Sequence, residues 1–205
     1  MKLEIKISKK PVPYDEAIEL LEKRVIKIQA NKENNLLWIL QHPNLYTGGT
    51  SAKDHDLLDP SKFPIYKTSR GGQWTFHGNG QKVVYFVHML KDKNIKKFVR
   101  NVENWIIKIL DDYNVTGFND PKNVGIWVNK NNKICKIAAI GIRVKRWIAF
   151  HGFSLNINVN KKNYEGIIPC GIKDKGIANI SDFLENSEIK NLDENIIKNY
   201  KKIFE

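Results

Sequence analysis

Lys133-Ile134-Cys135-Lys136-Ile137-Ala138-Ala139-Ile140-Gly141-Ile142-Arg143, a short basic turn, and Trp147-Ile148-Ala149-Phe150-His151-Gly152-Phe153-Ser154-Leu155-Asn156 read as two long strands joined tightly. Their residues are mostly β-branched, aromatic or small, and both faces of the first strand are apolar. Gly125-Ile126-Trp127-Val128 precedes them as a third short strand, so the segment predicts an antiparallel meander inside a covered sheet.

Outward from the meander, other strands are expected at Leu3–Ile7, Asn35–Gln41, Ile65–Thr68, Gln73–His77 and Gln81–Met89, separated by glycine pairs and by Gly78-Asn79-Gly80. Three helices interrupt them. Ala17, Ile18, Leu21, Val25 and Ile28 mark one over about Asp15–Gln29, and Ile95, Phe98, Val99, Val102, Ile106, Ile109 and Leu110 mark another over Ile95–Tyr113. A last helix is read from Asp193, as N-cap, to Phe204. Strand clusters without regular βαβ alternation predict an α/β (α+β) fold in which one domain, residues 1–205, carries a mixed, largely antiparallel sheet flanked by helices.

The 205 residues suffice for one hydrophobic core. With 41% hydrophobic and 27% charged residues the chain has the composition of a globular protein, not of a disordered tail. The excess of 34 Lys+Arg over 22 Asp+Glu, a net +12, suggests an acidic partner, although lysine- and asparagine-rich runs such as Asn129-Lys130-Asn131-Asn132-Lys133 would supply charge without one. Two cysteines with neither CxxC spacing nor a Cys/His cluster argue against zinc and disulfide frameworks. No apolar run of 18 residues occurs and the first ten residues lack a signal-peptide core, so a cytoplasmic protein is expected.

Four places could carry chemistry. In the first long strand, strict alternation puts Lys136 on a face with Ile134, Ala138, Ile140 and Ile142, where it either snorkels to water or is a buried functional lysine. Cys135 points the other way and reads as a small buried hydrophobe. Cys170, in Ile167-Ile168-Pro169-Cys170-Gly171-Ile172, stands between a proline that fixes the backbone and a glycine that permits close approach, so both an inert thiol and a nucleophile with backbone N–H groups free for an oxyanion are open. Arg70-Gly71-Gly72-Gln73-Trp74-Thr75-Phe76-His77-Gly78-Asn79-Gly80-Gln81 is no phosphate loop by spacing; its strand places Gln73, Thr75 and His77 on one side and Trp74 and Phe76 on the other. His151 reads as a hydrogen-bonded core histidine. No nucleic-acid signature is present.

Taken in order, these segments resemble the lipoyl(octanoyl) transferases, which are related in fold to the lipoate and biotin protein ligases. The resemblance rests on His42-Pro43-Asn44-Leu45-Tyr46-Thr47-Gly48-Gly49, on Arg70 to Gln81, on Gly125-Ile126-Trp127-Val128, on Lys136 to Gly141, on Arg146-Trp147 with His151 to Asn156, and on Pro169-Cys170-Gly171-Ile172. It implies transfer of an octanoyl group from octanoyl-acyl carrier protein to a lysine of a lipoyl domain, the first step of endogenous protein lipoylation. The acceptors it implies are 2-oxoacid dehydrogenase E2 subunits and the glycine cleavage H protein, with no cofactor, metal, nucleic acid or membrane, and with a monomer as the working unit. It assigns Cys170 as the acyl-accepting nucleophile and Lys136 as the group that depresses its pKa. It assigns the acyl pocket to Arg70, Gly71, Gly72, Gln73, Trp74, Thr75, Phe76 and His77, to Ala139, Ile140 and Gly141, and to Gly152, Phe153 and Ser154.

The chain departs from the family pattern at Asn44 and Asn79, where prolines are usual, at Phe76, usually tyrosine, and at Gly176-Ile177-Ala178-Asn179-Ile180, usually Gly-Val-Thr-Ser-Leu. Two other readings compete with acyl transfer. An ATP-dependent ligase lacks its glycine-rich adenylate loop here, and a binding module without turnover would have no need for Cys170 together with Lys136.

Overall fold

The hairpin at residues 133–156 lies near the middle of the larger of two sheets. A computed structural model describes residues 2–171, 175–184 and 189–205, with Cys170 described by its backbone alone. In chain order the strands are β1 (Leu3–Ile7), β2 (Asn35–Leu40), β3 (Leu45–Gly48), β4 (Ile65–Lys67), β5 (Trp74–His77), β6 (Gln81–Met89), β7 (Gly117–Asp120), β8 (Asn123–Lys130), β9 (Lys133–Lys145), β10 (Ile148–Asn156) and β11 (Gly176–Ile177). The helices are α1 (Tyr14–Gln29), α2 (Ile95–Asp111) and α3 (Leu192–Phe204). The large sheet runs β1-β2-β6-β10-β9-β8-β7 with β11 beside β9, and the small one runs β4-β3-β5. Only the β1–β2, β3–β4 and β9–β11 pairs are parallel among the described strands, so the sheets are mixed and largely antiparallel, as expected.

Period-two alternation sends each central strand into two cores. Leu36, Trp38 and Leu40 of β2, with Val83, Tyr85 and Val87 of β6, meet Ala17, Leu21, Val25 and Ile28 of α1 on one face. Leu37, Ile39, Val84 and Phe86 meet Phe98, Val102, Trp105, Ile106 and Ile109 of α2 and Ile196 and Tyr200 of α3 on the other. Trp105 ties the second core together. It is fully buried, packs edge-on to Phe153 at 4.9 Å, and donates from Nε1 to the Ile196 carbonyl at 2.9 Å. Replacing it by alanine is expected to cost about 3–5 kcal/mol, read from the denaturant midpoint.

The helix starts differ from the sequence reading in instructive ways. Asn94 caps α2 by accepting from the Lys97 N–H at 2.9 Å. α3 begins one residue earlier than expected, after Asn191 at φ 57°; Asp193 lies in its first turn, 2.7 Å from Lys82, and is not the cap. Trp147, expected in a strand, is in the β9–β10 turn with Arg146, at φ 64° and 49°, and is 41% exposed. The left-handed pair matches the two-residue hairpin geometry of a twisted sheet, which Asn131-Asn132 repeats between β8 and β9.

One irregularity decides the site. β8 and β9 slip register so that Ile126 faces Ala138 and the next residue, Trp127, faces Lys136, leaving Ile137 as an extra residue on β9. This is a β-bulge.

Candidate active site

Between β5 of the small sheet and the β9–β10 hairpin lies a cavity of about 230 Å³, on the α1 side of the large sheet. Ala139 and Gly141 of β9 pair with Ser154 and Gly152 of β10 and together form a wall almost without side chains. Opposite stand Gln73, Thr75 and His77, which alternate towards the cavity along β5. A side chain at Gly141 would place its Cβ 2.6 Å from Arg70 Cδ, so the narrow space depends on that glycine.

Lys136 reaches one end of this space because of the bulge. Regular alternation would have put it with Ala138, Ile140 and Ile142, but Ala138 packs in the α2 core beside Cys135 and Ile137, and Lys136 shares the cavity with Ala139 and Gly141. The sequence reading of its face is corrected accordingly. Lys136 is 5% exposed and does not snorkel. Its Nζ donates to the Val124 carbonyl at 3.0 Å and sits 4.5 Å from the Trp127 ring centre. Gly125, at φ 129°, leaves it room: a Cβ there would lie 3.2 Å from Nζ and 2.8 Å from the Ala138 oxygen.

The Pro169–Gly171 turn comes to the same region. The side chain of Cys170 and all of Ile172 lie outside the described residues, but Gly171 fixes where the turn passes. Its φ is 68°, and a Cβ on it would lie 2.5 Å from Gln73 Oε1, so the backbone next to Cys170 runs directly over the Gln73 amide. The Gly171 N–H donates to the Ile168 carbonyl at 3.1 Å, so this one of the N–H groups read as free is already used. After the undescribed residues, β11 pairs with Cys135 and Lys136, and the Ala178 N–H donates to the Lys136 carbonyl at 2.9 Å. The chain thus returns past Lys136 directly after the cysteine turn. Lys175, held 2.9 Å from Asp120, lies 4.3 Å from the same Trp127 ring. Hydrogen bonds from Asn123 and Lys175 hold the Asp120 carboxyl well below the usual range.

The two departures at 178 and 179 have structural work. Ala178 is fully buried in the α2 core. Asn179 exchanges hydrogen bonds with both backbone groups of Val159, at 3.1 and 3.0 Å, and forms a reciprocal cap with Asp182. An amide spans that gap where a serine hydroxyl is too short and has a single proton to donate.

Tyr14, His77, Tyr85 and His151 also line the cavity, and His42 packs against the first three without lining it. His42 Nδ1 faces the Val12 carbonyl at 2.6 Å and must donate, so its Nε2 accepts from the Tyr85 hydroxyl at 2.9 Å. His77 Nδ1 likewise donates to Gln81 Oε1 at 2.9 Å, and Gln81 Nε2 extends the network to Asn156 and Tyr164. Burial pushes His42 down to about 4 and His151 to about 3, and drives His77 well below its ordinary value. All three rings are therefore neutral at physiological pH. Arg70 anchors the loop before β5, donating from Nη2 to the Thr47 carbonyl at 2.8 Å and hydroxyl at 2.7 Å and from Nη1 to the Gly71 carbonyl at 3.0 Å.

Of the expected pocket residues, Arg70, Gly72, Gln73, Thr75 and His77 line the cavity, as do Ala139, Ile140, Gly141, Gly152, Phe153 and Ser154. Trp74 and Phe76 do not: they are fully buried on the other side of β5, in a core with Tyr46 and Tyr164. Gly71 is turned away as well, its N–H donating to the Ile142 carbonyl at 3.2 Å. Sequence reasoning missed Tyr14, Tyr85 and the Lys122–Val124 turn, which come from distant segments. It also placed His151 in the core as a hydrogen-bonded residue, whereas its ring lines the cavity and neither nitrogen has a hydrogen-bond partner among the described residues.

Residues 13–201 match the family model of the lipoyl protein ligase A/B catalytic domain. The chain is 41% identical over 207 residues to an octanoyltransferase of Parvibaculum lavamentivorans, covering 98% of this chain and 92% of the relative. It is 41% identical over 205 residues to an octanoyltransferase of Ehrlichia ruminantium, covering 98% and 99%. Among solved structures, a bipartite lipoate protein ligase from Thermoplasma acidophilum superposes with a TM-score of 0.78 at 12% identity, over 99% of this chain and 84% of that one. A lipoate-protein ligase A bound with ATP gives 0.75 at 15% identity, over 98% and 85%. These two show a shared fold.

Proposed function

The chain belongs to the lipoyl protein ligase A/B catalytic-domain family and aligns nearly end to end with octanoyltransferases, and from that premise we propose that it carries octanoyl groups from acyl carrier protein to lipoyl domains as a thioester on Cys170. The observation that supports this reading best is the cavity itself, lined by Lys136, by the small residues of the β9–β10 hairpin and by aromatic and imidazole rings. An apolar cavity of about 150 Å³ takes benzene, roughly 25 Å³ per carbon; at that loading a cavity of about 230 Å³ suits a chain of about eight or nine carbons.

In the first half-reaction the Cys170 thiolate attacks the carbonyl of octanoyl-acyl carrier protein, the new C–S bond forms, the bond to the carrier's sulfur breaks, and the departing thiolate takes a proton from the Lys136 ammonium, which leaves Lys136 neutral. One thioester replaces another, so no ATP is consumed. In the second, the amine of a lipoyl-domain lysine attacks the acyl-enzyme, the Cys170 thiolate leaves, and the amine gives up a proton. Lys136 has two roles here: its ammonium favours the thiolate in the first step, and in its neutral form it accepts the proton in the second. E2 subunits and the glycine cleavage H protein are the acceptors, and the enzyme works as a one-domain cytoplasmic monomer whose +12 charge steers acidic protein substrates. No described helix is long and apolar enough to cross a membrane.

Brief exposure to octanoyl-acyl carrier protein without ATP is expected to leave one hydroxylamine-labile octanoyl adduct in the intact mass spectrum. No adduct on the enzyme and no octanoylated lipoyl domain without ATP, but octanoylated lipoyl domain with ATP and free octanoate, would assign the chain to the ligases instead. Gly171→Ala is expected to lower transfer about 100-fold by displacing the cysteine turn from Gln73. Its far-UV spectrum should match the parent's, since Gly171 ends a single 3-10 turn and lies outside α1, α2, α3 and both sheets.

A further inference from the structure

His151 should face the α2 core. It is paired with Phe86 across the β6–β10 ladder, and Phe86 packs there. Instead its backbone is left-handed, at φ 68°, and its ring stacks on Phe150 at 4.9 Å and stands edge-on to Tyr85 at 6.4 Å, both residues of the α1 side. The conformation turns the imidazole through the sheet into the cavity, where it is 1% exposed and neither ring nitrogen has a hydrogen-bond partner among the described residues. A left-handed non-glycine residue and an unpartnered buried ring are both unfavourable, and such costs persist where a ligand site requires them.

Position along the strands says what the ring is for. Ser154 pairs with Ala139, Gly152 with Gly141 and His151 with Ile142, so these pairs march away from Lys136 and His151 comes last. Ile142 is six residues from Lys136, about 20 Å along β9. An extended eight-carbon acyl chain spans about 9 Å, short enough to lie between the ring and the Lys136 end, where Nζ is turned to Val124 and Trp127 of β8. We infer that His151 is the end wall of the acyl site and sets the length of acyl chain accepted. Tyr85 and His77 flank that wall, and Arg70 and Arg143 are the charged groups nearest the ring. The inference rests on the acyl-transfer reading above.

The test compares initial transfer rates from octanoyl-, decanoyl- and dodecanoyl-acyl carrier protein to a lipoyl domain, using the full chain. His151→Gly and His151→Asn both suit a left-handed backbone and both remove the ring. Each is expected to raise the decanoyl-to-octanoyl rate ratio about fifteenfold, at about fourfold for each of two newly accommodated methylenes. His151→Phe, which restores a ring, should return the ratio to that of the parent. A merely structural role would lower all three rates together. Ratios within twofold of the parent in both ring-less variants, with octanoyl transfer retained, would overturn the end-wall assignment while leaving the acyl-transfer reading intact. Absence of octanoyl transfer by the parent chain would overturn both.

Discussion

Cys170→Ala is expected to abolish octanoyl transfer, a loss of at least about 10⁴-fold, together with the covalent adduct. Cys135→Ala is expected to retain most of the activity. The two thiols differ in what surrounds them: Cys135 is 7% exposed, lies in the α2 core, and would be 2.8 Å from a Cβ on Gly176, so it has no path to a substrate. Cys170 is carried on a turn that passes over Gln73 at the cavity. Single-turnover rates of both variants with octanoyl-acyl carrier protein check the assignment, and equal losses would refute it.

The second large effect is expected at Lys136. Methionine keeps most of the apolar stem and removes the ammonium, so Lys136→Met should fold and should lose about 10²- to 10⁴-fold in transfer. It should also change the pH dependence of enzyme acylation. An ammonium beside a thiol lowers the thiol's pKa; without it the value rises back towards about 8.5, so the rise of the acylation rate moves to higher pH. A variant whose acylation profile coincides with the parent's would remove Lys136 from the first half-reaction.

Much of the architecture was legible because period and composition agree over long stretches. α2 is marked by seven apolar residues at helical spacing, and all three strands of the meander were found. The strands that escaped, β3 and β7 with four residues each and β11 with two, are too short for alternation to register, and β3 begins directly after His42-Pro43-Asn44. The site was legible from local motifs and illegible where the backbone leaves its regular course. Alternation along β5 separated Gln73, Thr75 and His77 from Trp74 and Phe76, yet the family resemblance grouped all five in one pocket, and the structure sides with alternation. For Lys136 and His151 alternation itself misleads: a bulge redirects the first and a left-handed φ the second. Neither leaves a decisive mark in residue type, since Ile137 is an ordinary strand residue and histidine, though enriched among non-glycine residues at positive φ, is not confined to it.

The slip at Ile137 means that β9 is written in two phases. At 135 and 137 the odd positions belong to the helix-covered core; from 138 onward the even ones do. A change of residue along this strand is read locally, but a gain or loss of one residue near Ile137 would reverse the reading frame of everything beyond it, sending Ala139, Gly141 and Arg143 towards the core and Ile140 and Ile142 towards the cavity. Sequences aligned across this strand therefore have to be compared as two segments, and a gap placed between them is a statement about function.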